Sequence, residues 1–424
     1  MERVCVLGLG YIGLPTAALA ASNGLKVIGV DIDPEVINSL SCGRAHFVEP
    51  ELDTVLEQVI REGRLTVQLN PCPADVFIIA VQTPINEDKT ANLSFVEAAV
   101  RSIVPMVERG NLVIIESTIP PGTTEEVIVP ILSKACLDIG TDLFVAYCPE
   151  RVLPGRILDE LVHNDRVVGG VNRASALRAS EFYERFVRGS VFITTARIAE
   201  TVKLVENAYR DVNIAFANEL ALLCDRLGMD VWDVIELANR HPRVNILRPG
   251  PGVGGHCIAV DPWFLVEKAP DVTSLIAAAR QVNDYMPEYI VSQIASTVPK
   301  GSRIACLGAA YKADVGDTRE SPALRVISGL KGKGYDVRTV DPHVEAYDGL
   351  NLMTLEEALD GADCVVLLVD HSEFRRLDID RLRERFDSGR LIDTRGIWSR
   401  AAAVAGEAGE LPLCEDRCVR GCAI

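Results

Sequence analysis

Arg3-Val4-Cys5-Val6-Leu7-Gly8-Leu9-Gly10-Tyr11-Ile12-Gly13 begins as an apolar run and breaks into glycines spaced by two and then three. The run reads as a buried strand, and helical spacing of apolar residues follows it. In such a strand–turn–helix the first glycine makes the tight turn and the second lets a pyrophosphate approach the backbone. The third lets helix pack on strand. A second apolar run, Lys26–Val30, ends on Asp31. A carboxylate there accepts hydrogen bonds from both ribose hydroxyls and repels a 2′-phosphate. Gly8, Gly10, Gly13 and Asp31 together predict a site for NAD rather than NADP.

Outward from this stretch, strands and helices alternate. Asp75–Val81, Leu112–Glu116 and Leu143–Tyr147 read as strands, and helical patterns cover Ser94–Val107 and Thr123–Ala135. The alternation predicts a parallel sheet covered on both faces, over residues 1–195. From Ala196 to Leu227 no proline or glycine interrupts an apolar helical spacing, which predicts one long helix. A helix starting at Asp230 and another running from Ser274 into the 290s complete a helical part, 196–298. Strand–helix alternation returns over 299–400, with strands at Arg303–Leu307, Asp336–Val340, Cys364–Val369 and Leu391–Asp393. Ser321-Pro322 opens a helix at its first turn. The expected fold class is α/β, with two Rossmann-like parallel-sheet domains joined by a central helical region that carries a subunit interface. Residues 401–424 form a tail with Cys414, Cys418 and Cys422, expected to be flexible. Three cysteines without a fourth ligand are no structural zinc site, and no metal is expected.

The composition fits this reading. At roughly 150 residues per domain, 424 residues make two to three domains. Hydrophobic residues are 48% and charged residues 24%, as in an ordinary globular protein. The net charge of −17 argues against a broad hold on nucleic acid or anionic lipid. No apolar run approaches the ~20 residues that span a bilayer. The first residues enter a strand rather than a signal peptide. Twelve scattered cysteines then read as reduced thiols, and a cytoplasmic location is expected.

Three further sets of residues carry chemistry. Pro249-Gly250-Pro251-Gly252-Val253-Gly254-Gly255-His256-Cys257 is a glycine loop that can wrap a ligand and delivers a thiol, followed by Asp261-Pro262. A thiolate in an NAD protein suggests covalent aldehyde chemistry. Adjacent side chains point apart, so Cys257 is favoured as nucleophile, with His256 as support and as the rival candidate. On the long helix, Lys203, Asn207 and Arg210 share one face. That face is either solvated or holds an oxyanion with a lysine and an amide one turn apart. Ser117-Thr118 with Pro120-Pro121-Gly122-Thr123-Thr124, and later Pro149-Glu150-Arg151, sit at strand ends, where open α/β sheets bind ligands. Arg243 before the glycine loop and Tyr311-Lys312 after a strand suit an anion such as a nucleotide diphosphate.

These motifs resemble the UDP-glucose/GDP-mannose dehydrogenase family from Val4 to about Trp398. Members oxidise the C6 hydroxyl of a nucleotide sugar to a carboxylate with two NAD. Cys148-Pro149-Glu150-Arg151-Val152-Leu153-Pro154-Gly155, Ala238-Asn239-Arg240-His241-Pro242-Arg243-Val244-Asn245 and Gly254-Gly255-His256-Cys257-Ile258-Ala259-Val260-Asp261-Pro262-Trp263 are similar to the branch acting on UDP-N-acetyl-D-mannosamine. The resemblance implies a UDP-binding C-terminal domain, a homodimer or higher oligomer through the central helices, and a role in polysaccharide biosynthesis. It also implies roles by position. Cys257 matches the nucleophile and Lys203 the general acid/base. Asn207 matches the residue sharing the oxyanion, and Asp261 and Glu150 match carboxylates around a hydrolytic step. Tyr11, Ile12, Asp31, Thr83, Thr118 and Arg319 match NAD contacts. Arg151, Val152, Lys203, Asn207, Arg210, His241, Arg243, Gly254, Tyr311, Lys312 and Arg395 match substrate contacts, Arg243 being donated across the dimer. The tail has no counterpart in the family pattern.

The implied reaction is a four-electron oxidation through a Cys257 thiohemiacetal and thioester. The same chemistry on UDP-N-acetylglucosamine or UDP-glucose is the closest alternative. A two-electron hydroxyacid dehydrogenase would leave the Cys257 loop and the third domain without a purpose. A non-catalytic nucleotide-sugar sensor would be expected to lack Cys257 or Lys203.

Overall fold

The computed structural model describes residues 2–153, 155–383 and 390–398, so the tail with Cys414, Cys418 and Cys422 lies outside the described residues. The chain forms two compact units. Among the described residues, one comprises the chain up to Glu206 with Trp263–Val272, and the other comprises Asn207–Pro262 with the chain from Thr273 onward.

The first unit is built on eight strands: β1 Arg3–Leu7, β2 Lys26–Val30, β3 Leu65–Gln68, β4 Val76–Ile79, β5 Leu112–Ile115, β6 Phe144–Tyr147, β7 Arg166–Gly170 and β8 Val191–Thr195. Their order is β3-β2-β1-β4-β5-β6-β7-β8, and the chain crosses over between β3 and β4. The quoted opening stretch is therefore central. Val4, Cys5 and Val6 are fully buried, because a parallel strand flanked by helices has no solvent face and reads as an unbroken apolar run. The expected parallel sheet holds from β3 to β6, but β7 pairs with β6 antiparallel, Ala146 facing Gly170 and Tyr147 facing Gly169. The connection between them carries Glu150 and Arg151. β8 closes the sheet as an edge strand and leaves Phe192 and Ile193 exposed, although Val191-Phe192-Ile193 is apolar.

The second unit has a four-stranded sheet of β9 Arg303–Leu307, β10 Asp336–Val340, β11 Cys364–Leu367 and β12 Leu391–Asp393, in the order β10-β9-β11-β12 and all parallel. The helix Ala196–Leu227 has the bounds that its spacing predicts. Asp230 caps the helix Val231–Ala238 by accepting from the Trp232 amide, as its position implied. The helices Val231–Ala238 and Ser274–Thr297 share one apolar core with the second sheet: Trp232, Met286 and Ile290 pack with Ile304, Val326 and Val366. Among the described residues the central helices thus share the core of the second sheet, and two units result.

Candidate active site

In the first unit, the three glycines of the opening turn differ in what surrounds them. Gly8 has φ +91°, and a Cβ there would meet the Ala80 carbonyl at 2.5 Å. A Cβ on Gly13 would overlap the Gly8 carbonyl oxygen, so this is where helix meets strand. Gly10 has no atom within 4 Å of that position. It faces open space, as a residue admitting a pyrophosphate must. Ile12 caps the helix Gly13–Ser22 with no side-chain bond, and within the first turn the Leu14 amide donates to the Gly10 carbonyl (3.1 Å) while Pro15 has no amide hydrogen. The Asp31 carboxylate accepts from the amides of Leu9 (2.9 Å) and Asp33 (3.0 Å), which orders the glycine turn. Tyr11 stacks on Phe47 with ring centroids 4.2 Å apart. Thr83 Oγ1 is buried with no hydrogen-bond partner among the described residues, and Thr118 is half-buried just after β5. The open approach at Gly10 and the orphaned threonine hydroxyl fit an NAD.

The helix start at Thr123-Thr124, which the sequence marked for ligand binding, is occupied from within. Glu200, fully buried on the long helix, accepts from the amides of Gly122 (2.5 Å) and Thr124 (2.8 Å) and from Thr124 Oγ1 (2.6 Å). Burial raises its pKa. One turn further on, Lys203 Nζ donates to the Glu150 carbonyl at 2.7 Å. The Glu150 carboxylate accepts from the Arg151 amide (2.7 Å) and from Arg166 Nη1 (3.1 Å). Arg151 pairs with Glu206 at 2.8 Å and donates to the Asp165 carbonyl, beside the half-buried Val152.

Arg166 is the residue that sequence reading missed. It is buried, its guanidinium lies 4.7 Å from the Tyr183 ring centroid, and Tyr183 donates to Glu116 at 2.6 Å. Glu116 also accepts from Thr16 Oγ1 (3.4 Å), on the nucleotide-site helix. Burial pushes Glu116 up to about 7, against the opposing charge of Arg166. The available signal was an arginine opening the otherwise apolar strand Arg166-Val167-Val168.

The second unit holds the thiol. Cys257 is half-buried and His256 exposed, and the Cys257 carbonyl accepts from the amides of Val260 (3.0 Å) and Asp261 (2.8 Å). Asp261, which begins the helix Asp261–Lys268, accepts from Asn207 Nδ2 at 2.5 Å, and Arg210 donates to the Asn207 amide oxygen. This joins the long-helix face to the thiol turn. A Cβ on Gly254 would lie 2.7 Å from the Glu320 carbonyl and 2.8 Å from Tyr311 Cβ, so the glycine loop packs directly on the segment carrying Tyr311. Lys312 is exposed. Arg319 pairs with Asp317 at 2.6 Å, and its carbonyl accepts from the Gly255 amide. It thus lies in the second unit, while the other residues expected to contact NAD lie in the first. His241 and Arg243 are exposed, the Arg243 amide donating to His241 Nδ1 at 3.4 Å. Arg395 Nε donates to Asp370 at 3.0 Å.

A buried polar chain supports the loop from below. Arg280 donates to Asp211 (2.6 Å), Asn283 to Asp211 (2.8 Å), Asn218 to Asn283 (2.8 Å), and the Gly250 amide to Asn218 Oδ1 (2.9 Å). Such a pair adds little net stability, but leaving either charge without the other is costly, so the chain fixes geometry.

Three family models match in order: the NAD-binding domain over residues 2–187, the central domain over 197–285 and the UDP-binding domain over 305–400. The chain belongs to the UDP-glucose/GDP-mannose dehydrogenase family. It is an NAD-dependent nucleotide-sugar dehydrogenase with a UDP-binding domain. It is 49% identical over 413 residues to the NDP-N-acetyl-D-galactosaminuronic acid dehydrogenase of Ralstonia nicotianae, covering 94% of this chain and 96% of that one. It is 46% identical over 417 residues to the UDP-N-acetyl-D-mannosamine dehydrogenase of Methanococcus maripaludis, covering 95% of each. The solved structure of UDP-D-ManNAc dehydrogenase from Pyrococcus horikoshii superposes with a TM-score of 0.87 at 42% identity, over 97% of this chain and 98% of that one. No helix among the described residues is long and apolar enough to cross a membrane.

Two outcomes follow. Gly10→Ala should leave unfolding free energy within ~0.5 kcal/mol of wild type while weakening NAD binding by roughly tenfold or more. Gly13→Ala should lose stability as well. Urea unfolding and calorimetric NAD titration separate the two, and unchanged NAD affinity in Gly10→Ala would contradict the pyrophosphate approach. For Glu116, the folded pKa lies above the ordinary value, so its charged form opposes folding. Its contribution to stability is best at low pH and declines as pH rises from 4.5 to about 7. Glu116→Gln, neutral throughout, should remove that decline from the unfolding free energy. An identical pH profile in the variant would exclude Glu116 as the titrating group.

Proposed function

We propose that this dehydrogenase oxidises the C6 hydroxyl of UDP-N-acetyl-D-mannosamine to the carboxylate of UDP-N-acetyl-D-mannosaminuronate. The observation that carries the reading is the Asn207–Asp261 bond, which ties the long-helix face to the turn presenting Cys257. NAD, when bound, accepts a hydride from C6 in each of two oxidations. Lys203 takes the hydroxyl proton in the first. The Cys257 thiolate adds to the aldehyde carbon, and Lys203 and Asn207 stabilise the thiohemiacetal oxyanion. Loss of the second hydride leaves a thioester on Cys257, which water cleaves with Asp261 and Glu150 orienting and deprotonating it. One sugar and one water thus give one carboxylate, two reduced cofactors and three protons, with the thiolate restored. Tyr11, Ile12, Asp31, Thr83, Thr118 and Arg319 contact the cofactor. Arg151, Val152, Arg210, His241, Arg243, Gly254, Tyr311, Lys312 and Arg395 contact the nucleotide sugar.

The sugar rests on the relatives named for UDP-N-acetyl-D-mannosamine at 44–48% identity. A second reading, an N-acetylgalactosamine sugar, is favoured by the 49% identical relative named for N-acetyl-D-galactosaminuronic acid. The domains in this reading are 1–195, 196–298 and 299–400, followed by the tail. The scattered thiols, of which the nine described form no disulfide, suit work in the cytoplasm, which cell fractionation checks.

A homodimer forms through the central helices. The long helix leaves Ile198, Val205, Tyr209, Phe216, Leu223 and Leu227 exposed at spacings of four and seven, the stripe by which two helices pair.

Purified enzyme should form two NADH per UDP-N-acetyl-D-mannosamine without free aldehyde, and faster than with UDP-N-acetylgalactosamine, UDP-N-acetylglucosamine or UDP-glucose. One NADH per sugar would end the four-electron scheme, and a different preferred sugar would reassign the substrate. Cys257→Ser should still bind NAD and sugar but nearly stop turning over, because an alkoxide leaves far less readily than a thiolate. Turnover near the wild-type rate would refute the nucleophile and make His256 the residue to examine. Phe216→Glu should shift the protein to a monomer in analytical ultracentrifugation, and an unchanged sedimentation coefficient would place the interface elsewhere.

A further inference from the structure

In the second unit, three side chains from the segments after three different strands converge. Asp314 follows β9, His343 follows β10 and Glu373 follows β11. His343 Nε2 lies 3.3 Å from Glu373 Oε2 and 3.8 Å from Asp314 Oδ1, and the donor atoms of the cluster all lie within 4.8 Å of one another. An ion held at the usual ~2.1 Å from one nitrogen and two carboxylate oxygens in tetrahedral geometry separates its ligand atoms by about 3.4 Å. The two histidine–carboxylate separations, 3.3 and 3.8 Å, bracket that value.

Neighbouring groups hold these ligands in place. The amide and hydroxyl of Ser372 donate to the two Asp314 carboxylate oxygens at 2.7 and 2.8 Å. The His343 amide donates to Asp341 at 2.9 Å. His371, a fourth member of the cluster, is excluded as a ligand by its hydrogen bonds. Its Nδ1 accepts from the Asp314 amide at 2.9 Å, so the proton sits on Nε2, which donates to Asp341 at 3.1 Å. Both ring nitrogens are engaged, and the buried imidazole positions Asp314 instead. Partners of this kind ordinarily orient the residues that touch a metal.

We propose that Asp314, His343 and Glu373 bind one divalent transition-metal ion of the zinc type, with water completing the coordination. One imidazole with two carboxylates suits zinc, cobalt or manganese better than calcium, which takes six to eight oxygens. The ion would clip the segment after β9, which carries Tyr311 and Lys312, to the loops after β10 and β11. Bound metal would then govern the order of the segment on which the Gly254 loop packs. This site is independent of the catalytic reading above.

The test is cobalt titration of the full-length, metal-stripped enzyme, followed by optical spectroscopy and calorimetry. One equivalent should bind with visible d–d absorption and without the thiolate charge-transfer band that cysteine ligation at Cys257 or in the tail would produce. His343→Ala and Glu373→Gln should each weaken that binding by ~100-fold or more, since losing a ligand should cost at least as much as losing a partner that orients one. His343→Gln, closer in size, serves if the alanine variant fails to fold. Metal-free melting temperature and NAD affinity should match wild type in every variant. No binding below millimolar cobalt, a thiolate spectrum alone, or equal affinity in wild type and variants would each overturn the proposal, leaving His343 as an ion-pair partner of the two carboxylates.

Discussion

A loop at the end of a strand exposes backbone amides that must find acceptors if the loop is to hold one shape. In this protein carboxylates supply them. Asp31 takes the amides of Leu9 and Asp33, Glu49 those of Gly155 and Ile157, and Glu200 those of Gly122 and Thr124. Asp393 takes Arg395, Gly396 and Trp398. Each carboxylate accepts two or more amides at once, and each orders a loop named as part of the site or adjoining it. Part of the acidic charge is thus structural, and a chain of −17 can still order loops that receive anions.

The two sheets use this device with opposite results. In the first, Asp31 has two amide partners, and Gly10 leaves open space beside the turn. In the second, Asp341 occupies the corresponding strand end but accepts from the amides of Ala309, Ala310, His343 and Val344 and from His371. These bonds outweigh burial and hold its carboxyl at about 2. Ala310 also stands in a turn that had glycine in the first half. A carboxylate with its acceptor sites filled has nothing left for a ribose in the position that Asp31 serves, and the NAD-binding family model matches the first half and the UDP-binding model the second.

Buried polar chains extend the same logic inward. Arg166 links Glu150 to the Tyr183–Glu116 pair under the nucleotide-site helix. Arg280 links the long helix, through Asp211, Asn283 and Asn218, to the amide of Gly250. Apart from Glu150, neither chain touches a reacting atom in the proposed scheme, yet each fixes a loop on which that scheme depends.

The sequence alone determined what is local. The glycine spacing at Gly8, Gly10 and Gly13, Asp31 at a strand end, the uninterrupted helix Ala196–Leu227 and the Cys257 loop are all contiguous patterns, and periodicity with glycine chemistry suffices to read them. Even within the fold, the edge strand Val191–Thr195 and the antiparallel return of Arg166–Gly170 escaped, because three apolar residues before two threonines, and two valines between an arginine and a glycine pair, are too short to stand out as runs. The tertiary structure decided the partners. Glu200 meets Thr124 across 76 positions, Glu49 meets Ile157 across 108, and Asn207 meets Asp261 across 54. A hydrogen bond needs its atoms within about 3 Å, and only the folded backbone decides which distant carboxylate arrives at which amide.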